Sequence, residues 1–233
     1  MTAIFKREMR AYFTSPLGYI FLAAVLFFGG FFFSTVLVNS SSNISYVFGS
    51  LLTIVTILIP ILTMRLMSEE KKQKTDQLLL TAPVNIGGVV LGKYLAAFVV
   101  YLISISSTIL YVIVLATFTK PNWNIFLGNF LALLLLGGAL IAIGLFISCL
   151  TESQMISAIV TFAIMMVVLL LDNIATTIPV AFLSKIISQI SFTSRYQDLI
   201  SGILNVSHII YFISIIVIFI FLTAKVLERK RWS

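Results

Sequence analysis

Leu17 to Val38 reads LGYIFLAAVLFFGGFFFSTVLV, a run without one charged residue. A helix needs about 20 apolar residues to cross a hydrocarbon core of about 30 Å, so this run suffices for one crossing. It is longer than the core of a signal peptide, about 7–15 residues, and no small-residue cleavage spacing follows it. It therefore reads as a permanent first span. Similar runs recur to the end of the chain. Of its 233 residues 60% are apolar and 10% charged, against about 45–50% and about 25% in a soluble domain. Soluble classes are excluded, and no length remains for a separate soluble domain.

The expected fold is all-α: a polytopic membrane protein of six transmembrane helices, forming one domain over 1–233. The spans are 17–38, 46–64, 89–118, 126–150, 154–178 and 209–224. Pro60 lies near the end of the second span and should kink it, because it removes a backbone hydrogen bond that lipid cannot replace. The third run exceeds what a crossing requires, so it tilts, kinks or protrudes. Only Thr151, Glu152 and Ser153 separate spans four and five, which makes them an antiparallel hairpin. Gly137, Gly138, Ala142, Gly144 and Ser148 give span four a small-residue face that permits close helix contact.

Residues 1–15 form an amphipathic helix on the wheel, with Ile4, Phe5, Met9, Tyr12 and Phe13 opposite Lys6, Arg7 and Arg10. Such a helix lies in the membrane interface. Glu8 falls on the apolar side, which calls for a protein partner or a shorter helix. Residues 65–83 are the most charged segment and must lie outside the hydrocarbon. Residues 180–208 are less apolar and read as an external helical segment, and Lys225 to Ser233 as a basic tail.

The formal charge of +7 falls at the ends of apolar runs, where basic residues meet lipid headgroups and set orientation, so no nucleic-acid partner is implied. Six spans put twelve Lys and Arg on one side and only Lys120, Lys185 and Arg195 on the other. The basic side should be cytoplasmic, with both termini.

No catalytic, cofactor or metal residue is assigned. Cys149 is the only cysteine, so no disulfide or cysteine-based metal site can form. Gly87 to Lys93 matches the spacing of a phosphate loop, but Tyr94 stands where the magnesium-binding hydroxyl belongs and no strand precedes it. The segment reads as a loose entry into span three. His208, the only histidine, has only Asp198 as a nearby candidate carboxylate. Asp172 and Asn173, near the outer end of span five, are candidate path-lining residues, since an ionisable group there favours a wet cavity or an interface.

A family becomes recognisable after span two. Met64-Arg65-Leu66-Met67-Ser68-Glu69-Glu70, Thr75-Asp76-Gln77-Leu78-Leu79-Leu80-Thr81-Ala82-Pro83-Val84 and Leu91-Gly92-Lys93-Tyr94 resemble the permeases of type-2 ABC exporters. The similarity is greatest to the branch of gliding-motility and nitrous-oxide-reductase-maturation permeases. The likeness extends to Tyr12, Phe13 and Pro16, to Tyr196-Gln197-Asp198, and to the closing Glu228-Arg229-Lys230-Arg231-Trp232. This chain departs from the pattern with Lys74 at a glycine and Gln77 at a glutamate.

The resemblance implies a permease in a bacterial cytoplasmic membrane, used as a dimer with a second copy or a paralogue. ABC ATPase subunits, which bind ATP and magnesium, would dock on a cytoplasmic coupling helix expected over Lys71 to Ala82. Glu69, Glu70, Thr75, Asp76, Gln77, Leu78, Leu79 and Pro83 would be the coupling residues. The charged loop supports that role on its own, since Leu78, Leu79 and Leu80 follow a run of charges and invite a partner. The rival readings are a self-sufficient secondary transporter or channel, or a non-transport membrane subunit. The former normally shows charges or broken helices at mid-bilayer, and spans one, three and four show none.

Overall fold

The computed structural model describes residues 1–39, 44–75, 85–118, 122–177, 191–201 and 205–232, with the side chains of 171–177 and 232 left aside. All regular structure among these residues is helical. In chain order the helices are α1 (Thr2–Thr14), α2 (Pro16–Val38), α3 (Ser45–Thr63), α4 (Arg65–Lys72) and α5 (Ile86–Ser106). They continue as α6 (Thr108–Phe118), α7 (Trp123–Leu150), α8 (Gln154–Thr177), α9 (Phe192–Ile200) and α10 (Val206–Trp232).

Local chemistry sets these boundaries. Pro16 holds Ser15 in an extended conformation, φ −98° and ψ 156°, which ends α1 and places proline in the first turn of α2. Asn85 and Asn122 cap α5 and α7, their side chains accepting from Gly87 N and from Asn124 N. The long third run breaks at Ser107. There the hydroxyls of Ser106, Ser107 and Thr108 donate back to the carbonyls of Leu102, Ser104 and Ile105, competing with the helix's own bonds. The second run stays helical through Pro60 and breaks only at Met64, whose N–H still reaches the Pro60 carbonyl at 2.9 Å.

Five helical stretches are long and apolar enough to cross a membrane: Pro16–Val38, Ser45–Lys72, Ile86–Phe118, Trp123–Leu150 and Val206–Arg231. The expected fifth span coincides with α8, whose described apolar part, Gln154–Leu170, is shorter than the others. The closing segment differs from expectation. Its basic residues form no separate tail but continue α10 to Trp232, and residues 206–208 already belong to it. Asn205 Oδ1 accepts from Ser207 N at its start, and the cations of its last turn suit the negative end of the helix dipole.

α7 is the centre. Of its most apolar stretch 78% is buried, against 28% for α2 and 11% for α10, so α2 and α10 lie at the periphery of the bundle. α3, α4, α5, α8, α9 and α10 all pack on α7. The small residues allow this approach. A Cβ on Gly137 would overlap the Tyr101 ring, and one on Gly144 would overlap Thr63. Tyr101 uses that space to donate to the Leu133 carbonyl at 2.5 Å.

Candidate functional site: the charged cluster of α1, α4 and α5

Lys93 is the pivot of this end of the molecule. It lies in an otherwise apolar helix and is 1% exposed. Its Nζ sits 3.0 Å from Glu8 Oε1 and 3.0 Å from Glu70 Oε1, and donates to the Leu66 carbonyl at 2.6 Å. Arg7 joins the same two carboxylates, at 2.7 Å from Glu8 and in direct contact with Glu70. Arg65 pairs with Glu69 at 3.1 Å, donates to Ser15 Oγ at 2.7 Å and lies over the Tyr12 ring. Together these groups line a cleft of about 260 Å³.

The odd position of Glu8 is thereby explained. α1 does not simply rest on lipid, because the face bearing Glu8 and Tyr12 is buried against the rest of the chain. Burial opposes ionisation of Glu8, but the Lys93 ammonium and the Arg7 guanidinium outweigh it and hold the carboxyl below its ordinary value. Tyr12 donates to the Leu62 carbonyl at 2.7 Å. Gly92 brings α5 close to α1: a Cβ there would stand 3.2 Å from the Met1 carbonyl oxygen.

α4 is also fastened to the core. Its first N–H groups have no partner within their own helix, and Ser148 of α7 supplies one. Ser148 Oγ accepts from Met67 N and Ser68 N at 3.1 Å each and donates to the Met64 carbonyl at 3.1 Å. Lys71 Nζ donates to the Cys149 carbonyl.

α4 ends in a Schellman turn. Thr75 N–H reaches the Glu70 carbonyl at 3.0 Å, Lys74 N–H reaches the Lys71 carbonyl at 3.0 Å, and Lys74 has φ 56°. Lys74 thus holds a left-handed conformation that glycine adopts at no steric cost. The turn also revises the expected helix over Lys71 to Ala82, since Lys71 and Lys72 close α4 instead of opening a new helix.

Of the expected coupling residues, Glu69, Glu70 and Thr75 stand at this cluster, with Thr75 Oγ1 donating to the Glu70 carbonyl at 3.3 Å. Asp76, Gln77, Leu78, Leu79 and Pro83 lie outside the described residues. Asp172 and Asn173 belong to α8, but their side chains are not among those described. Gly87 to Lys93 is no loose entry: it is helical, and Lys93 faces two carboxylates instead of a phosphate site. Glu8, Arg7, Arg65 and Ser148 were not singled out from the sequence as site residues. The sequence carried signals for two of the partners, an acid on an apolar helix face and a lysine within an apolar run.

At the opposite end His208 Nε2 lies 3.4 Å from Asp198 Oδ2 and Nδ1 lies 3.3 Å from Arg195, whose guanidinium stacks on Tyr211 at 4.2 Å. A cation beside the imidazole makes this a tie between α9 and α10. Among the described residues no metal-binding group of three or more His, Cys, Asp or Glu occurs. Tyr196 donates to the Phe48 carbonyl at 2.8 Å and fixes α9 to α3.

These features define a polytopic helical membrane protein with a charged, cross-braced cluster at one end. The family model for ABC-2 family transporter proteins matches residues 2–232, and the chain belongs to that family. The family is a membrane component of ABC transporters, a permease that associates with an ABC ATPase. The comparison with curated proteins found no match.

Proposed function

We propose that this chain is the permease subunit of an ABC exporter in a bacterial cytoplasmic membrane, with six spans and both termini in the cytoplasm. Two copies, or one copy and a paralogue, form the path, and separate ATPase subunits bind ATP and magnesium. The branch of gliding-motility and nitrous-oxide-reductase-maturation permeases is the subfamily that the sequence favours. Asp172 and Asn173 line the outer part of the path in this reading.

The observation that carries the proposal is the bracing of α4. This helix prolongs a span beyond its apolar part and bears Glu69 and Glu70. It is tied to α1 and α5 through Arg7 and Lys93, and to the central α7 through Ser148. A force applied by an ATPase to residues 65–83 would therefore reach the core helix through buried polar contacts, not through lipid. Leu78 and Leu79 would supply the apolar contact with the ATPase, worth roughly 1.5–3 kcal/mol each if fully covered. The combined variant Asp76→Lys with Leu79→Glu should insert normally and lose the ATPase on co-purification. Retention of the ATPase at the unmodified ratio, with transport intact, would place the docking site elsewhere.

A further inference from the structure

Two hydroxyls sit in the seam between α8 and the core without a hydrogen-bond partner, those of Ser157 and Thr161. Among residues 154–170 of α8 only Ser157, Thr161 and Met165 are fully buried. They recur at intervals of four, so they form one stripe along the helix face turned to its neighbours. Met155, Ile159 and Val167, on other faces, are exposed. Of the side chains that this part of α8 buries completely, one is apolar and two are hydroxyls.

The seam has a definite place. α8 packs on α3, α7 and α4. The short turn after α7 folds α8 back along it, so that Ile143 and Ile147 line the same surface as Val160 and Ile164. At that depth Thr63 of α3 lies against Gly144 of α7, close to the break at Met64 where α3 gives way to α4. Other buried hydroxyls of the spans are paired: Thr56, Thr63, Ser104 and Thr223 each donate to the carbonyl four residues earlier. Ser157 and Thr161 have neither such a bond nor contact with water. A buried polar group left unpaired disfavours the packed state. A segment anchored by few buried apolar side chains is also one that opens before the rest of a structure.

We infer that this seam is a gate: α8 parts locally from α3 and α7 and admits water to Ser157 and Thr161 while the rest of the bundle stays folded. The two hydroxyls set the strength of closure. Dry and unpaired, they weaken the shut state, and water satisfies them in the open one. Apolar side chains of the same shape would shut the seam more tightly. Because α4 packs on both α7 and α8, the helix that carries Glu69 and Glu70 touches the gate. The inference does not depend on which ATPase or cargo the protein serves.

The test uses the full chain in vesicles with Cys149→Ala and Met165→Cys, which places a single thiol on the buried stripe. The thiolate, not the thiol, is the nucleophile, so labelling by N-ethylmaleimide reports water in the seam. Adding Ser157→Ala and Thr161→Val should raise the unfolding midpoint and slow labelling about 5- to 30-fold, the usual reach of such a change in stability. Thr56→Val, which removes a paired hydroxyl, should not slow it. Labelling at the unmodified rate in the Ser157→Ala, Thr161→Val protein overturns the inference, as does equal slowing by Thr56→Val. Faster labelling or a lower unfolding midpoint also overturns it, since the hydroxyls would then be held by bound water and would strengthen the shut state. Should the Met165→Cys protein fail to insert, hydrogen exchange of the amides of 154–170 with Met165 in place decides. Slower exchange in the Ser157→Ala, Thr161→Val protein supports the gate, and unchanged or faster exchange refutes it.

Discussion

Lys93 stands 3.0 Å from each of two carboxylates brought from 85 and 23 positions away, and it is almost wholly buried. A buried charge is tolerable only when paired, and removing one partner typically costs about 3–5 kcal/mol because the remaining charges are stranded. Lys93→Met is therefore expected to lower the unfolding midpoint in detergent steeply, while Lys93→Arg loses less. Glu8 adds a pH signature. Its carboxyl titrates below the ordinary range when folded, so the stability it contributes is complete above the ordinary value of about 4.3 and is lost as pH falls through the lower, folded value. Thermal unfolding at pH 7 and at about pH 3, below the ordinary value, should show the unmodified chain losing stability on acidification, and Glu8→Gln should flatten that dependence. A Glu8→Gln protein with an unchanged acid profile would remove Glu8 from the cause.

Helix α4 is short, and its intrinsic stability is correspondingly low. Its place is fixed by neighbours. Ser148 satisfies two of its N-terminal donors and the carbonyl of Met64 at once. Ser148→Ala would leave these groups unpaired in a buried site, at a cost of about 1–3 kcal/mol. The variant should lower thermal stability by that amount while far-ultraviolet circular dichroism stays unchanged. If α4 also transmits force to α7, ATP-driven transport should fall although the ATPase remains bound. A variant with full stability and full transport would make the Ser148 contact incidental.

The whole molecule is organised as a central α7 surrounded by helices whose outer faces are apolar. The basic residues gather at the α4 end, which faces the cytoplasm in the proposed orientation. Labelling can test the orientation at exposed positions. Gln73→Cys at the α4 end should be protected from an impermeant maleimide applied outside, and Asn124→Cys at the start of α7 should react; both native side chains are exposed. Cys149 is buried and should stay silent. Labelling of the Gln73→Cys protein alone would invert the topology.

Membrane residence, the helical class and the positions of the long helices are readable from the sequence, because about 20 uncharged apolar residues have few alternatives in lipid but to form a helix. α2 and α7 begin and end within a few residues of the runs that announce them. The likeness around Glu69, Glu70 and Thr75 agrees with the family that matches the chain. The pairing of Glu8 and Glu70 with Lys93, the rescue of the α4 donors by Ser148, and the burial of the unpaired Ser157 and Thr161 hydroxyls are absent from any local pattern. They arise from residues far apart in the chain, and hydrophobic periodicity reports only which face of each helix is apolar. The distance at which two buried charges meet is set by packing, here by the close approach that Gly92, Gly137 and Gly144 permit, and only the tertiary structure decides it.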